Sequence, residues 1–359
     1  MKIRCKPFPF IVLILQSCLL FAQEGDAAFR LRQNGCIEDW SSDKVFTEDY
    51  CQNIEKNPAK DFVILNFADI QLTGEEAMGE EGVLASRTID RLVEQTAPDL
   101  ITLTGDNAWD TTAYRWLVAL IDSFGIPWAP VMGNHDGQNT PSEAWCASQF
   151  CNAAHCLFRL GPSDMGFGNY IINIRENGRI VHTIFMMDTH SIVENDNING
   201  KKDEGYDNLW PNQLEWYEWA VNGIAVVAGK TVPSTLFIHI PLVEFATAYD
   251  EAYDVDRHCY KEPYVSNSFG TMDEKICCSP QNNGMFALCK RLGSTKNIAC
   301  GHDHVNDYSI PYQGIRLTYC LKTGKGCYWD EKKNGGTIFL IDSDGGNTVR
   351  HEYVDSQQF

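Results

Sequence analysis

Three apolar runs decide the fold of this chain: FVILNFAD (62–69), LITLTGD (100–106) and PWAPVMGNH (127–135). Short, continuous apolar runs are typical of strands that are buried on both faces of a sheet. Helical spacing separates the runs, because Leu84, Thr88 and Leu92 share one face after the first run. Ala113, Leu117, Leu120 and Phe124 share one after the second. This alternation of strand and helix predicts parallel βαβ units over residues 61–135.

Later runs extend the pattern with fewer clear helices between them: IVHTIFMMD (180–188), TLFIHI (235–240) and NIACGHDH (297–304). They predict that the sheet continues into, or packs on, a second one. A helix is expected to begin near Pro211, because proline is favoured in a first turn and apolar residues follow it at helical spacing. Residues 241–296 are expected to be a loop-rich cover over one end of the sheet. The sequence therefore predicts an α/β sandwich.

The composition excludes several classes of protein. The 359 residues include 29 Lys and Arg against 48 Asp and Glu, which gives a formal net charge of −19. Such a surface repels nucleic-acid phosphates and anionic membranes, so we expect no binding to a nucleic-acid duplex. The hydrophobic fraction of 44% excludes a wholly disordered chain.

Residues 1–22 have the composition of a secretory signal peptide, with basic residues before an apolar run. The alternative is a membrane anchor, but Gln16 interrupts a run that is already short of the ~20 apolar residues needed to span a bilayer. We therefore expect no stable membrane insertion and a secreted or lumenal protein, whether extracellular, vacuolar or lysosomal. Residues 23–60 are predicted to be an irregular leader, and residues 61–359 to form the domain.

The chain contains 14 cysteines, and removal of the signal peptide leaves an even number. An even number in an exported protein predicts disulfide bonds. Cys36 and Cys51 are expected to pin the leader, by a bridge to each other or elsewhere. Cys146, Cys151 and Cys156 lack the C-x2-C spacing of a structural zinc site, which favours bridging over metal binding.

Polar residues stand where the apolar runs stop, at five places along the chain. Any one of these groups alone would be taken for a cap or a turn. Open α/β sheets, however, bind ligands at the carboxyl ends of their strands, where successive loops converge. The order and spacing therefore predict a single site, and its candidate residues are Asp69, Gln71, Asp106, Asn134, His135, Asp136, His239, His302 and His304.

In this order the motifs resemble those of the calcineurin-like metallophosphoesterases, whose pattern is D-x-H, G-D, G-N-H-[DE], a later His and G-H-x-H. The resemblance covers roughly residues 61–342 and is closest to a single-domain branch related to purple acid phosphatases. It implies a metallophosphoesterase-type β-sandwich flanked by helices (αββα), with a metal site at the carboxyl ends of the strands.

The resemblance also implies a binuclear metal centre in which the carboxylate of Asp106 bridges two ions. The other matching ligands are Asp69 and His304 for the first ion, and Asn134, His239 and His302 for the second. Oxygen and nitrogen ligands fit iron, zinc or manganese, so the cofactors are expected to be two divalent or trivalent ions of unknown identity.

The activity implied is that of a phosphomonoesterase acting on a small phosphorylated substrate or a phosphoprotein with a metal-activated hydroxide. His135 would hydrogen-bond the phosphate or give a proton to the leaving oxygen, and Asp136 would orient His135. Two alternatives remain open. One is a phosphodiesterase for nucleotides or lipid headgroups, and the other is a degenerate relative that binds a phosphorylated ligand or a protein without turnover.

The sequence departs from the family pattern at two places. Gln71 replaces the histidine of D-x-H, and it is either a weak ligand through its amide oxygen or a hydrogen-bonding neighbour of the ligands. Trp109 replaces the tyrosine of purple acid phosphatases, so we expect it to form a packed wall and the protein to be colourless.

Two further residues lie near the motifs. Lys322 either meets the substrate phosphate or is solvated, and His190 is expected to be a hydrogen-bonded loop residue.

Overall fold

Two β-sheets with helices on their outer faces make up the computed structural model, which describes residues 37–38, 40–196 and 202–354. This is the predicted αββα sandwich. The strands of the described residues are β1 (Ile37–Glu38), β2 (Cys51–Glu55), β3 (Phe62–Phe67), β4 (Leu100–Thr104), β5 (Trp128–Val131), β6 (Gly161–Pro162), β7 (Tyr170–Glu176), β8 (Arg179–Met186), β9 (Ile192–Asp196), β10 (Lys202–Tyr206), β11 (Ser234–Phe237), β12 (Tyr253–Asp254), β13 (Cys259–Tyr260), β14 (Thr295–Cys300), β15 (Ser309–Tyr312), β16 (Ile315–Tyr319), β17 (Gly335–Ile341) and β18 (Asn347–Tyr353).

The helices begin where the sequence supplies caps. Thr73 and Glu76 form a capping box at the first helix, and Asp110 accepts hydrogen bonds from two backbone amides of the third. The predicted helix begins at Pro211 and ends before Gly229, whose φ of 68° suits glycine. The α-helices of the described residues are α1 (Gly74–Met78), α2 (Glu80–Thr96), α3 (Thr111–Asp122), α4 (Glu143–Cys151), α5 (Pro211–Ala228), α6 (Glu244–Ala252) and α7 (Met285–Leu292).

The smaller sheet has five strands in the order β18-β17-β3-β4-β5. Strands β3, β4 and β5 pair in parallel, and the chain crosses between them through α1, α2 and α3. Thr88, Leu92, Ala113 and Leu117 are buried, as their helical spacing indicates, whereas Leu84, Leu120 and Phe124 on the same faces are half-buried. The prediction of parallel βαβ units over this region is confirmed.

The larger sheet has seven strands in the order β15-β16-β14-β11-β8-β7-β2. The three later apolar runs form β8, β11 and β14, which pair in parallel, so the prediction of a second sheet is confirmed.

The leader was predicted to be irregular, but part of it forms regular structure. Residues 51–55 are an edge strand paired with β7, because Cys51 is buried and Ile54 packs on the core.

The core lies between the sheets and beneath the helices. Phe237 of β11 and Phe339 of β17 meet between the two sheets, with their ring centroids 5.1 Å apart. On the outer face of the larger sheet, Phe185 packs edge-on against Tyr217 of α5 at 4.8 Å. Complete burial of one such ring contributes roughly 1.5–3 kcal/mol. These contacts fix the two sheets relative to each other, and with them the loops that carry the site.

The predictions about disulfide bonds and membrane insertion concern the cysteines and the helices. The predicted signal peptide and Cys36 lie outside the described residues. No disulfide bond joins two of the cysteines in the described ranges. No helix in those ranges combines the length and the apolar character needed to cross a membrane.

Candidate metal centre

Both sheets contribute to one site at the carboxyl ends of their parallel strands. Asp69, Asp106 and Asn134 follow β3, β4 and β5 of the smaller sheet, while His239 follows β11 and the residues His302 and His304 follow β14 of the larger one. All six are buried, with side chains at most 7% exposed. These six of the nine candidate residues therefore follow strand ends, as the sequence predicted.

The backbone at this cluster turns sharply. Asp69, Asp106 and His302 have φ values of 52°, 46° and 82°, in the left-handed region that non-glycine residues rarely adopt. Such conformations concentrate at functional sites, where packing over-determines them. Gly133 matters for a different reason, because a Cβ atom there would lie 2.3 Å from Oδ1 of Asp106. The glycine of the G-N-H motif therefore lets two loops approach.

The first group of possible ligands joins the two sheets. Asp106, His239 and His302 offer ligand atoms that all lie within 4.8 Å of one another. Asn134 belongs to the same place, since its Oδ1 lies 2.9 Å from Nε2 of His239. These are the four residues that the motif pattern assigned to the second ion.

The second group shares Asp106 with the first. Asp69, Asp106 and His304 also offer ligand atoms within 4.8 Å of one another. Gln71 lies beside them, and its Nε2 donates a hydrogen bond of 3.0 Å to Oδ2 of Asp106. These are the residues that the pattern assigned to the first ion, with Asp106 between the two groups.

Backbone carbonyls orient the imidazoles. Nδ1 of His239 donates to the carbonyl oxygen of Thr104 at 2.8 Å, and Nδ1 of His304 donates to that of Tyr328 at 2.8 Å. In both residues the other ring nitrogen, Nε2, then lies towards the carboxylates, 3.4 Å from Asp106 in one case and 3.6 Å from Asp69 in the other. Such bonds select the tautomer that leaves Nε2 available to a metal ion.

Burial and the neighbouring charges set the protonation of the site. Burial raises the pKa of Asp69 to about 7, although His239 opposes the shift. Burial also acts on His239, but the carboxylates of Asp106 and Asp69 outweigh it and raise the pKa of the imidazole to about 10. Burial would raise the pKa of Asp106 as well, and the same His239 holds it well below its usual range.

The other two histidines shift in the opposite direction. Burial and the neighbouring His239 lower the pKa of His302 to about 3. Burial and the ammonium of Lys322 lower the pKa of His304 to about 2. Both imidazoles are therefore neutral at neutral pH, which is the form in which histidine binds metal ions.

Three buried polar atoms of the cluster have no hydrogen-bond partner among the described residues: Oε1 of Gln71, Nδ2 of Asn134 and Nε2 of His302. Buried polar groups are nearly always paired, so orphaned ones indicate a missing ligand. Oε1 and Nε2 carry lone pairs that suit a cation, and Nδ2 is a donor that suits an anion. The residues present thus fit two metal ions and a phosphate.

His135 and Asp136 have different neighbours. The half-buried ring of His135 packs against Trp109 with centroids 4.9 Å apart, and its Nδ1 lies 2.7 Å from Oε1 of Gln138. Asp136 does not contact that ring. Its carboxylate accepts hydrogen bonds from the backbone and side chain of Asn107, both at 2.8 Å, and from the amide of Gly133 at 2.7 Å. The residue that orients His135 is therefore Gln138, and Asp136 holds the loop.

Some neighbours of the site were not predicted from the sequence. Tyr328 stacks on His304 with centroids 4.1 Å apart, and Tyr206 meets His302 edge-on at 4.4 Å. Lys322 fits neither of its two interpretations, because it is 1% exposed and its ammonium donates to the carbonyl oxygen of Asp69. No motif marks these residues. His190 is hydrogen-bonded as expected, to Gln213 at 2.9 Å.

Comparison with known proteins decides the family. The sequence profile described as calcineurin-like phosphoesterase matches residues 62–306, which is more than half of the chain. The chain belongs to the calcineurin-like phosphoesterase family. This match confirms the resemblance that the ordered motifs predicted, and it supports a phosphoesterase hydrolase that binds metal ions.

Relatives within this family include proteins named as purple acid phosphatases. The chain is 25% identical over 264 residues to probable inactive purple acid phosphatase 14 of Arabidopsis thaliana, a match that covers 66% of this chain and 61% of that protein. It is 28% identical over 285 residues to phosphatase DCR2 of Saccharomyces cerevisiae, covering 72% of this chain and 46% of that protein. The chain thus spans about three fifths of the plant relative and less than half of the yeast one.

A dimetal phosphatase from Danio rerio superposes with a TM-score of 0.49 at 13% identity, over 81% of this chain and 99% of that one.

Proposed function

We propose that this protein is a secreted or lumenal phosphomonoesterase with a binuclear metal centre. The observation that supports it is the pair of three-residue groups that share Asp106, with orphaned lone pairs pointing to missing cations. Asp69, Gln71, Asp106 and His304 would hold one ion, and Asp106, Asn134, His239 and His302 the other. Bound there, the two ions supply positive charge for a phosphate and for the water that attacks it.

The chain's own residues account for the remaining chemistry. The free donor Nδ2 of Asn134 suits a phosphate oxygen. His135 lies at the rim of the site, where Gln138 accepts a hydrogen bond from Nδ1 and leaves Nε2 to carry a proton. That proton would go to the alkoxide as the bond between phosphorus and the leaving oxygen breaks. No covalent bond between the protein and the phosphate is required.

Elemental analysis and turnover of model substrates test the proposal together. We expect two metal ions per chain in protein made through a secretory route, and hydrolysis of p-nitrophenyl phosphate in preference to bis(p-nitrophenyl) phosphate. His239→Ala and His302→Ala should each remove about one ion and lower kcat/KM by more than about 100-fold, since ligand loss costs at least as much as loss of a supporting residue. His155→Ala is the matched control, because that histidine is exposed and far from the motifs.

Three results would contradict the proposal. Unchanged turnover in both histidine variants would exclude the metal groups from the reaction. Preference for the diester would favour a phosphodiesterase. One ion or none, with no turnover after incubation with manganese, iron and zinc, would favour a protein that binds a phosphorylated ligand without hydrolysing it. Gln71, Trp109 and the name of the Arabidopsis relative motivate this second candidate.

The export route is part of the proposal and has its own test. Oxidising conditions are expected to form disulfide bonds among the cysteines, and those bonds would appear as mass shifts after alkylation with and without reduction. Secreted protein in which every thiol reacts without reduction would contradict the disulfide prediction.

A further inference from the structure

A cavity of about 410 Å³ opens beside the metal centre, and Asn134 belongs to both. Asn134 faces the centre through Oδ1, which lies 2.9 Å from His239, and its Nδ2 has no partner among the described residues. Gln138, which contacts His135, lines the same cavity. A phosphate held at the centre would therefore direct its alcohol portion into this cavity.

The walls of the cavity are polar and carry negative charge. Besides Asn134 and Gln138, the lining residues include Ser142, Ser191, Phe167 and the acidic Glu143. None of the described residues that line the cavity is basic. An acidic alcohol portion, such as a second phosphate or a carboxylate, would thus meet a carboxylate and no basic residue in the cavity wall.

Glu143 is placed to contact a ligand. It is the first residue of α4, and its stem lies against Gly137, where an added Cβ would come within 2.7 Å of the Glu143 Cγ. Its carboxylate makes no hydrogen bond or ion pair with any other described side chain, although it is exposed in the cavity wall. A carboxylate at a helix N-terminus is stable without a partner, so it remains available to a cation.

A second carboxylate, that of Asp188, adds negative charge behind the cavity. Asp188 is 4% exposed, and its Oδ2 accepts a hydrogen bond of 2.8 Å from the backbone amide of Phe167. His190 is the titratable group beside it, with Nδ1 3.7 Å from Oδ2 of Asp188 and its ring stacked on Trp210 at 3.7 Å. Phe167 thus adds an aromatic side chain to the cavity wall near two carboxylates, and both kinds of group attract ammonium ions.

We propose that the cavity binds an ammonium group on the leaving alcohol, so that the substrates are phosphomonoesters of amino alcohols, with Glu143 as the residue that determines this specificity. The inference rests on the proposed function. In the reaction, water adds to phosphorus, the bond between phosphorus and the alcohol oxygen breaks, and that oxygen takes a proton from His135. The products are inorganic phosphate and the free amino alcohol.

The test compares two esters that differ only in charge. Phosphocholine carries a quaternary ammonium, and neohexyl phosphate has a carbon atom in place of that nitrogen. The metal-loaded protein should hydrolyse phosphocholine with a kcat/KM roughly tenfold above that of neohexyl phosphate, the sum of one exposed ion pair and one cation–π contact. Phosphoglycolate, which has a carboxylate, should be the poorest substrate.

Variants of Glu143 test whether this residue causes the preference for the ammonium-bearing ester. Glu143→Gln should lower the ratio of the two kcat/KM values to about twofold or less, on the same electrostatic reasoning. Glu143→Lys should make phosphoglycolate a better substrate than phosphocholine. Glu80→Gln is the matched control, because Glu80 is also an exposed first residue of a helix, α2. A ratio taken within one variant cancels differences in folding or metal content.

The outcomes separate the two proposals. Hydrolysis of monoesters with a ratio near one, a preference for phosphoglycolate, or a ratio that Glu143→Gln leaves unchanged would overturn the inference and leave the phosphomonoesterase intact. Absence of turnover of every monoester, p-nitrophenyl phosphate included, in protein that holds two ions would overturn the proposed function and this inference with it.

Discussion

Nε2 of Gln71 donates a hydrogen bond of 3.0 Å to Oδ2 of Asp106, the carboxylate that the two ligand groups share. This bond fixes the amide, and the other end, Oε1, is a buried acceptor without a partner among the described residues. An amide oxygen is an acceptable ligand for a hard cation. Of the two interpretations of Gln71, the geometry favours the ligand.

Replacement of Gln71 by leucine should weaken only the first ion. Gln71→Leu removes the amide oxygen and the bond to Asp106, so we expect the affinity for one of two ions to fall roughly 10- to 100-fold. Titration with a chelator, followed by elemental analysis, measures this loss. Gln149→Leu on α4 is the control. Gln71→His should change the affinity by less than about tenfold, and a larger gain would mean that the natural first site is impaired.

Trp109 should leave the protein colourless even when it is loaded with iron. Its ring packs on His135, and no phenolate stands at that position. Tyr206 and Tyr328 are near, but burial and their acidic or thiol neighbours raise the pKa of each phenol, so they remain neutral. Visible absorption spectra of iron-loaded protein should show no charge-transfer band. Trp109→Tyr should introduce one and Trp109→Phe should not, whereas a band in the unchanged protein would mean that Tyr206 or Tyr328 binds iron.

The strands and the order of the site residues could be predicted because each apolar run ends in a polar group, and parallel strands bring such ends together. Residues on long connections could not be predicted in this way. Tyr328 reaches His304 from the loop between β16 and β17, and Tyr206 reaches His302 from the end of β10. Strand β2 was missed because its alternating pattern is short and its partner, β7, lies more than a hundred residues away in the sequence.

His182 should make the stability of the protein depend on acid pH. It is fully buried in the larger sheet, where its Nδ1 donates to the carbonyl oxygen of Gly345 at 3.0 Å, and its Nε2 lies 2.9 Å from the Thr235 hydroxyl. Burial lowers its pKa to about 4. Above pH 6.5 the imidazole is neutral in both states and contributes nothing. Between about pH 6.5 and 4 only the unfolded chain takes up the proton, so stability falls by about 1.4 kcal/mol per pH unit, and below pH 4 the loss levels off.

Urea unfolding of the protein and of His182→Leu, each measured across this range, isolates the contribution. The variant should be less stable at pH 7, because Gly345 and Thr235 lose a partner, and the difference from the original protein should shrink by about 3 kcal/mol as the pH falls to 4. Parallel curves for the protein and His182→Leu would mean that the buried imidazole is not the titrating group.

Gln138 and Asp136 should separate catalysis from stability. Oε1 of Gln138 accepts from Nδ1 of His135 at 2.7 Å, which orients the ring that would deliver the proton. Gln138→Ala should therefore lower kcat up to about tenfold with little change in KM. Asp136→Asn should instead lower the free energy of unfolding by about 2–3 kcal/mol, since its amide would face the donors of Asn107 and Gly133. A kcat that falls in Asp136→Asn without a loss of stability, and stays unchanged in Gln138→Ala, would return the orienting role to Asp136.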